Sequence, residues 1–332
     1  MTTKPKVLLL GTIESDTKEW AKLQEIADIV TPTSQSRDAF LAECRSGALD
    51  GVVAAYRTFS SVNVTGLVDR ELVEALPRSL GFISHNGAGY DQIDVSACTA
   101  RNILVSNVPT AVDDATADTA IFLLLGALRG FNKGMSSLRA GRWIADVPLG
   151  HDPQGKVLGI IGMGGIGSVF ARRALGFGMR VQYFNRKRLG AEDEIEGVDY
   201  VGFEELLATS DVVSLNLPLN NNTRHIISTP EFNKMKRGVV IINTARGAVI
   251  DEAALVEAID AGIVWSVGLD VFENEPQIHP GLLSNESVML VPHMGTHTVE
   301  TRQKMEEWTI ANVRSAVETG RLKSIVKEQA GL

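Results

Sequence analysis

Three ionisable residues in the second half of the chain have the types and the order that carbonyl chemistry needs. Arg246 closes the run Ile241-Ile242-Asn243-Thr244-Ala245-Arg246-Gly247. Glu275 lies in Asp270-Val271-Phe272-Glu273-Asn274-Glu275-Pro276, and His293 follows Val291-Pro292. Each polar residue comes at or shortly after the end of an apolar, β-rich run. In a parallel α/β sheet ligands gather beyond the C-terminal ends of the strands, so all three would point to one side. Such a set suits hydride transfer to a carbonyl. Negative charge grows on the oxygen as hydride reaches the carbon, and a proton donor placed there lowers the barrier. Histidine changes charge near physiological pH, and a carboxylate such as Glu275 beside it would orient the ring and favour the imidazolium. Arg246 could hold a carboxylate bidentately while polarising the adjacent carbonyl. Taken singly, each has a plainer reading: a loop histidine, a capping arginine, a turn glutamate before proline. Their joint occurrence, in order and downstream of a nucleotide turn, favours the chemical one.

That turn is Gly155-Lys156-Val157-Leu158-Gly159-Ile160-Ile161-Gly162-Met163-Gly164-Gly165-Ile166-Gly167, a short apolar strand running into G-x-G-x-x-G and then an amphipathic helix, Ser168 to Phe177. Gly162 permits the tight turn, Gly164 lets backbone reach a diphosphate, and Gly167 lets helix lie close on strand. The amides that follow, from Gly165 and Ile166, face the phosphates at the helix N-terminus. With 31 glycines in 332 residues the bare motif means little; the strand before it and the helix after it supply the specificity. The next strand, Met179 to Phe184, ends at Asn185, about 20 residues beyond the glycines, where an NAD site usually carries an acid for the ribose 2′-hydroxyl. Here Asn185 is neutral and Arg186, Lys187 and Arg188 follow it. A carboxylate would repel a 2′-phosphate and this segment would attract it. The pattern favours NADP(H), with NAD(H) possible; a solvated basic loop is the bland alternative.

The elements that must position these residues alternate between strand and helix. Val7–Leu10, Asp28–Val30, Val52–Ala55, Phe82–Ser84 and Ile103–Val105 read as strands, with helices over Thr17–Ala27 and near Ser36–Arg45. The scheme repeats around the nucleotide turn with strands Val212–Leu215, Val239–Ile242 and Val288–Val291. A final helix spans Val299 to Thr319. Alternation of this kind implies parallel sheets covered on both faces. The expected fold class is α/β, two Rossmann-like doubly wound units. Residues 1–107 and 297–332 form a discontinuous substrate domain, and 108–296 form the dinucleotide-binding domain. Loop residues Tyr56-Arg57-Thr58-Phe59, after the third strand, would border the substrate; Arg57 is either a second anion site or ordinary surface.

Composition sets the outer limits. An apolar fraction of 44 % and a charged fraction of 22 % describe an ordinary globular chain. A net charge of −8 argues against nucleic acid as the main partner. The longest apolar run, Thr119–Leu128, is too short to span a bilayer. Met1-Thr2-Thr3-Lys4-Pro5-Lys6 lacks the core and cleavage pattern of a signal peptide. Cys44 and Cys98 are too few for a disulfide framework and lack metal-ligand spacing; no metal site and a cytoplasmic location are expected.

At this point the chain resembles the D-isomer-specific 2-hydroxyacid dehydrogenase family along essentially its whole length. The resemblance implies two Rossmann-like domains with a cleft between them and reduction of a small 2-oxo acid to a D-2-hydroxy acid. It assigns substrate binding to Arg246, the catalytic pair to Glu275 and His293, and the nicotinamide end of the cofactor to Asp270. Further cofactor contacts fall at Leu217, Pro218, Thr244 and Ala245. Ser84-His85-Asn86-Gly87-Ala88-Gly89-Tyr90-Asp91-Gln92-Ile93-Asp94 is similar to the segment whose amides bind the substrate carboxylate, which assigns that task to Asn86, Gly87 and Ala88. The departure at Asn185 looks like the NADPH-using reductases of the family, among them glyoxylate and hydroxypyruvate reductases. His297 stands where many members have a small residue; it either reaches substrate or begins the last helix. Both small and aromatic 2-oxo acids stay open as substrates. The family commonly dimerises through the element matching the apolar helix Ala115–Leu128, so a homodimer is expected. A cofactor-sensing interaction protein, like the corepressors built on this scaffold, is the rival from another class.

Overall fold

The computed structural model describes residues 4–332; residues 1–3, the start of the segment read as lacking a leader, lie outside the described residues. The chain divides into two compact units. One runs to Val112 and resumes over Thr298–Leu332; the other is Asp113–His297. The cut falls after Val112 and not after Asn107, and the amide of Val108 donates to the Gly87 carbonyl of the first unit.

In the first unit five parallel strands, β1 (Lys6–Leu10), β2 (Asp28–Val30), β3 (Val52–Thr58), β4 (Phe82–Asn86) and β5 (Leu104–Ser106), lie in the order β2-β1-β3-β4-β5. Strand side chains alternate between faces. Val7, Ala54 and Tyr56 pack with Ile310 and Val313 of the helix Val299–Thr319. Leu8, Leu10, Ala55, Ile83 and Val105 build a second cluster with Phe40 and Leu72. Both faces are covered, which is why these strands read as nearly continuous apolar runs.

The second unit holds seven parallel strands: β6 (Val157–Ile161), β7 (Arg180–Phe184), β8 (Val198–Tyr200), β9 (Val212–Leu215), β10 (Val239–Asn243), β11 (Val264–Leu269) and β12 (Val288–Leu290). Their order is β12-β11-β10-β9-β6-β7-β8. Strand order reverses at β6, which has β7 on one side and β9 on the other. The crevice beyond such a reversal is where open α/β sheets take ligands.

Four local readings change. β3 continues through Tyr56 and Thr58 because both residues favour extended structure and find register partners on β4, so the expected loop is strand. The helix after the glycine turn begins at Gly165, three residues earlier than the pattern suggested, with Gly164 in the extended cap position. His297 stands outside the last helix, which Thr298 caps. The helix Asp113–Arg129 spends most of its apolar surface on its own unit: Ala117, Ala120, Leu123, Leu124, Ala127 and Leu128 are buried in one cluster with Leu158 and Ile160. Much of the helix through which a homodimer was expected is therefore buried within its own unit. Among the described residues no helix is long and apolar enough to cross a membrane. Burial pushes the Cys44 thiol up to about 11 and the Cys98 thiol to about 12, so neither is poised to react.

Candidate active site

The glycine turn at the end of β6 is shaped by close backbone approach. Gly162 has φ 102°, and a Cβ there would lie 2.5 Å from the Asn216 carbonyl oxygen. A Cβ on Gly167 would lie 2.3 Å from the carbonyl of Gly162, so only glycine lets the helix settle on the strand. Beside Gly164 the space is open. Two polar atoms at the neighbouring strand ends, Asn216 Oδ1 and Thr244 Oγ1, are buried without a hydrogen-bond partner. Buried groups left so carry a desolvation cost that a polar ligand would remove. The open space by Gly164 and these two unmet atoms fit a dinucleotide along β6, β9 and β10. Leu217, half-buried, and Pro218, exposed, follow Asn216.

Asn185 at the end of β7 turns its side chain inward. Its Oδ1 accepts from the Met163 amide at 2.8 Å, tying the ribose-recognition position to the glycine turn. Of the three cations that follow, Arg188 pairs with Glu194 and lies over the Tyr200 ring. Arg186 and Lys187 are exposed and have no ion-pair partner among the described residues. One neighbour escaped the sequence reading. Asp113 starts the helix Asp113–Arg129, and a Cβ on Gly165 would sit 2.1 Å from its Oδ2. Burial and then Asp114 push this carboxyl up to about 6. In sequence Asp113-Asp114 reads only as acid at a helix start.

Beyond β10, β11 and β12 the three ionisable residues come together. His293 Nδ1 lies 2.8 Å from Glu275 Oε2, with side-chain exposures of 35 % and 28 %. Burial alone would raise the Glu275 carboxyl. His293, the Phe272 amide and Arg246 outweigh it and hold the group below the usual carboxylate range. The His293 loop is anchored from β11. The amides of Met294 and Gly295 donate to Asp270 Oδ1 and Oδ2 at 2.6 and 2.9 Å, and the His293 amide donates to the Asp270 carbonyl at 2.7 Å. The Asp270 side chain, expected at the nicotinamide end, is therefore committed to this loop and only 1 % exposed. Burial raises its carboxyl in spite of those amides.

Arg246 stands on a turn that Asn243 closes, accepting from the Ala245 amide at 3.0 Å and donating to the Arg246 carbonyl at 2.9 Å. Gly247 then packs backbone to backbone on the Glu275 segment: a Cβ there would lie 1.8 Å from the Phe272 carbonyl carbon. A second His–Glu pair fastens the same region. His225 Nε2 is 2.6 Å from Glu273 Oε1, and the His225 amide donates to the Ala248 carbonyl. Nothing in the sequence distinguishes His225 from a loop histidine.

In the first unit the end of β4 carries Asn86, whose Nδ2 donates to the Tyr56 hydroxyl at 2.9 Å, followed by Gly87 and Ala88. Arg57 departs from both expectations. It is 0 % exposed, so it is not surface, and it has no open face for a second anion. Its guanidinium meets His85 Nδ1 at 3.0 Å and Gln92 Oε1 at 2.8 Å.

Known proteins resemble this chain in sequence and fold. Residues 121–295 match the model of the D-isomer specific 2-hydroxyacid dehydrogenase, NAD binding domain. The chain is 54 % identical over 325 residues to 4-methyl-2-oxopentanoate reductase A of Aspergillus oryzae, covering 98 % of each. A crystal structure of a glyoxylate reductase from Paecilomyes thermophila superposes with TM-score 0.96 at 53 % identity, over 99 % of this chain and 100 % of that one. The NADPH-dependent glyoxylate/hydroxypyruvate reductase of Sinorhizobium meliloti, solved with NADP and malonate, gives TM-score 0.85 at 30 % identity and 98 % coverage of both. With a nucleotide turn at the strand-order reversal, an Arg–Glu–His set beyond the following strands and these likenesses along its length, the chain belongs to the D-isomer-specific 2-hydroxyacid dehydrogenase family of oxidoreductases.

Proposed function

We propose that this protein reduces a 2-oxo acid to the D-2-hydroxy acid with NADPH, with His293 as the proton donor. The observation that carries the reading is the 2.8 Å His293–Glu275 pair on a loop fixed by Asp270. Nicotinamide supplies the hydride that adds to the carbonyl carbon. The carbonyl oxygen takes its proton from the His293 imidazolium, which Glu275 orients and balances. Arg246 draws charge toward that oxygen and holds the carboxylate beside it. Of the amides expected to take a substrate carboxylate, at Asn86, Gly87 and Ala88, that of Ala88 has no acceptor among the described residues and would bind it, while that of Gly87 donates to the His85 carbonyl. The amides of Gly164, Gly165 and Ile166 would hold the diphosphate, and Leu217, Pro218, Thr244 and Ala245 would line the rest of the cofactor. Relatives named for glyoxylate and for 4-methyl-2-oxopentanoate differ in substrate size, so a panel must span both. Initial rates with glyoxylate, hydroxypyruvate, 4-methyl-2-oxopentanoate and phenylpyruvate should reveal NADPH oxidation with at least one. No turnover across such a panel, despite cofactor binding, would overturn the reading.

NADPH over NADH rests on Asn185 in place of an acid and on the exposed, unpaired Arg186 and Lys187. Replacing both cations by Ala should weaken NADPH by about tenfold or more and change NADH by about twofold at most. Equal loss for the two cofactors, read by fluorescence titration, would remove the 2′-phosphate from the argument.

A homodimer belongs to the same reading. Phe131, Met135 and Leu138 share one face of the helix Phe131–Arg139, and Trp143, Ile144 and Leu149 beyond it are 75 %, 70 % and 95 % exposed. Apolar surface of that extent is unusual on a monomer. Light scattering should give twice 35.8 kDa; a single species at the chain mass would reject the dimer. The two buried free thiols, Cys44 and Cys98, suit a reducing cytoplasm.

A further inference from the structure

A buried cation with no carboxylate at ion-pair distance among the described residues lies beside the glycine loop of the first unit. β3 and β4 pair in parallel with Arg57 opposite His85, so the two side chains leave the sheet together on one face. Arg57 is the largest fully buried side chain among the described residues. Its hydrogen-bond partners, His85 Nδ1 and Gln92 Oε1, are neutral acceptors, and its Nε has none. No carboxylate lies within ion-pair distance of it among the described residues; Asp91 acts only from further away. Burial lowers the guanidinium to about 10, which leaves it charged at neutral pH. Buried charges are ordinarily paired, because desolvation is costly.

The hydrogen bonds carry this charge's influence to the loop. A guanidinium only donates, so His85 Nδ1 accepts and the ring proton sits on Nε2, from which it is donated to the Gly89 carbonyl at 3.0 Å. The Gly87 carbonyl accepts from the Val108 amide at 2.9 Å and the Ala88 carbonyl from Asn107 Nδ2 at 2.7 Å. All three carbonyls of Gly87–Gly89 are thus turned away and occupied. The amides of Ala88 and Gly89 have no acceptor among the described residues. A pocket of free N–H groups with a buried cation beside it is complementary to an anion.

We infer that Arg57 is a positioning residue for the substrate carboxylate: through His85 it fixes the Gly87–Gly89 loop with the Ala88 and Gly89 amides left to bind, and its buried charge strengthens their hold on an anion it does not touch. The inference rests on the 2-oxo acid reading of the loop and adds a specific source of affinity for the acid form. The test compares wild type with Arg57→Met and Arg57→Lys, using pyruvate, its uncharged methyl ester and the unreactive analogue oxamate. Arg57→Met should raise KM for pyruvate and Kd for oxamate by about 10- to 100-fold. KM for the ester should move by less than about threefold, with the loss falling on KM far more than on kcat. Arg57→Lys, which keeps the charge but not the fork, should fall between. Thermal midpoints should hold or rise in Arg57→Met, since an apolar side chain replaces a desolvated charge. Equal losses for acid and ester, or oxamate affinity within about twofold of wild type, would overturn the inference and leave the reductase reading standing. A wild type that neither turns over a 2-oxo acid nor binds oxamate would end both.

Discussion

Replacing His293 by Gln lowers kcat/KM for 2-oxo acid reduction by about 10²- to 10⁴-fold, the range general acid catalysis spans, while NADPH affinity stays within about threefold. The structural reason is local. His293 sits at φ 50° on a loop whose amides are taken by Asp270, and its Nδ1 faces Glu275 Oε2 at 2.8 Å. That leaves Nε2 as the nitrogen to deliver a proton. Gln keeps the size and polarity but cannot be a cation or release a proton. A variant within threefold of wild type for every accepted substrate would exclude His293 as the donor. Glu275→Gln adds the pH arm. Glu275 is held below the usual carboxylate range, so it is ionised from mildly acidic pH upward. The stability it contributes is present above the ordinary carboxylate value and lost as pH falls through the lowered one. Without the carboxylate that meets Nδ1, the ring is no longer held in place, and Glu275→Gln should lower kcat/KM by about tenfold or more. A variant with wild-type rates would show that Glu275 does not orient His293.

Arg246→Lys should cost about 10²- to 10³-fold in kcat/KM, near 3–4 kcal/mol of transition-state stabilisation. A lysine carries the charge but has no planar fork, so it cannot meet a carboxylate bidentately while lying against the carbonyl. The turn beneath it needs no such charge: Asn243 closes it on both sides, and Gly247 fits against the Phe272 peptide bond whatever residue stands at 246. The loss should therefore appear in kcat as well as KM, with the thermal midpoint little changed. A variant that loses only stability, or regains full activity with Lys, would assign Arg246 to the scaffold.

What could be read before folding, and what could not, divides along the range of the interactions concerned. Strand, glycine turn and helix follow one another within a few residues, and their side-chain periods and backbone demands are local. The nucleotide turn, the strand ends bearing Arg246 and His293 and the exposed basic segment after Asn185 were therefore legible in the sequence. The helix Val299–Thr319 was legible from end to end for the same reason. Boundaries moved where a neighbour decided them. β3 reaches Thr58 because β4 lies beside it, and this carries Arg57 from an expected loop into the interior.

The tertiary structure alone decided which partner each polar group would find. Asp270 reaches Met294 and Gly295 across the β11–β12 edge, Asn185 reaches Met163 from β7 to the β6 turn, and His225 reaches Glu273. Asp113 meets Gly165, and Arg57 meets His85 and Gln92. These pairs join segments that strand order and helix packing bring side by side. No periodicity along a chain encodes that order, because it is set by how whole strands and helices bury their faces. The residue types and spacing determined that a dinucleotide turn and an Arg–Glu–His set exist and lie beyond strand ends. Packing determined that Asp270 holds a loop and that Arg57 is a buried charge beside one.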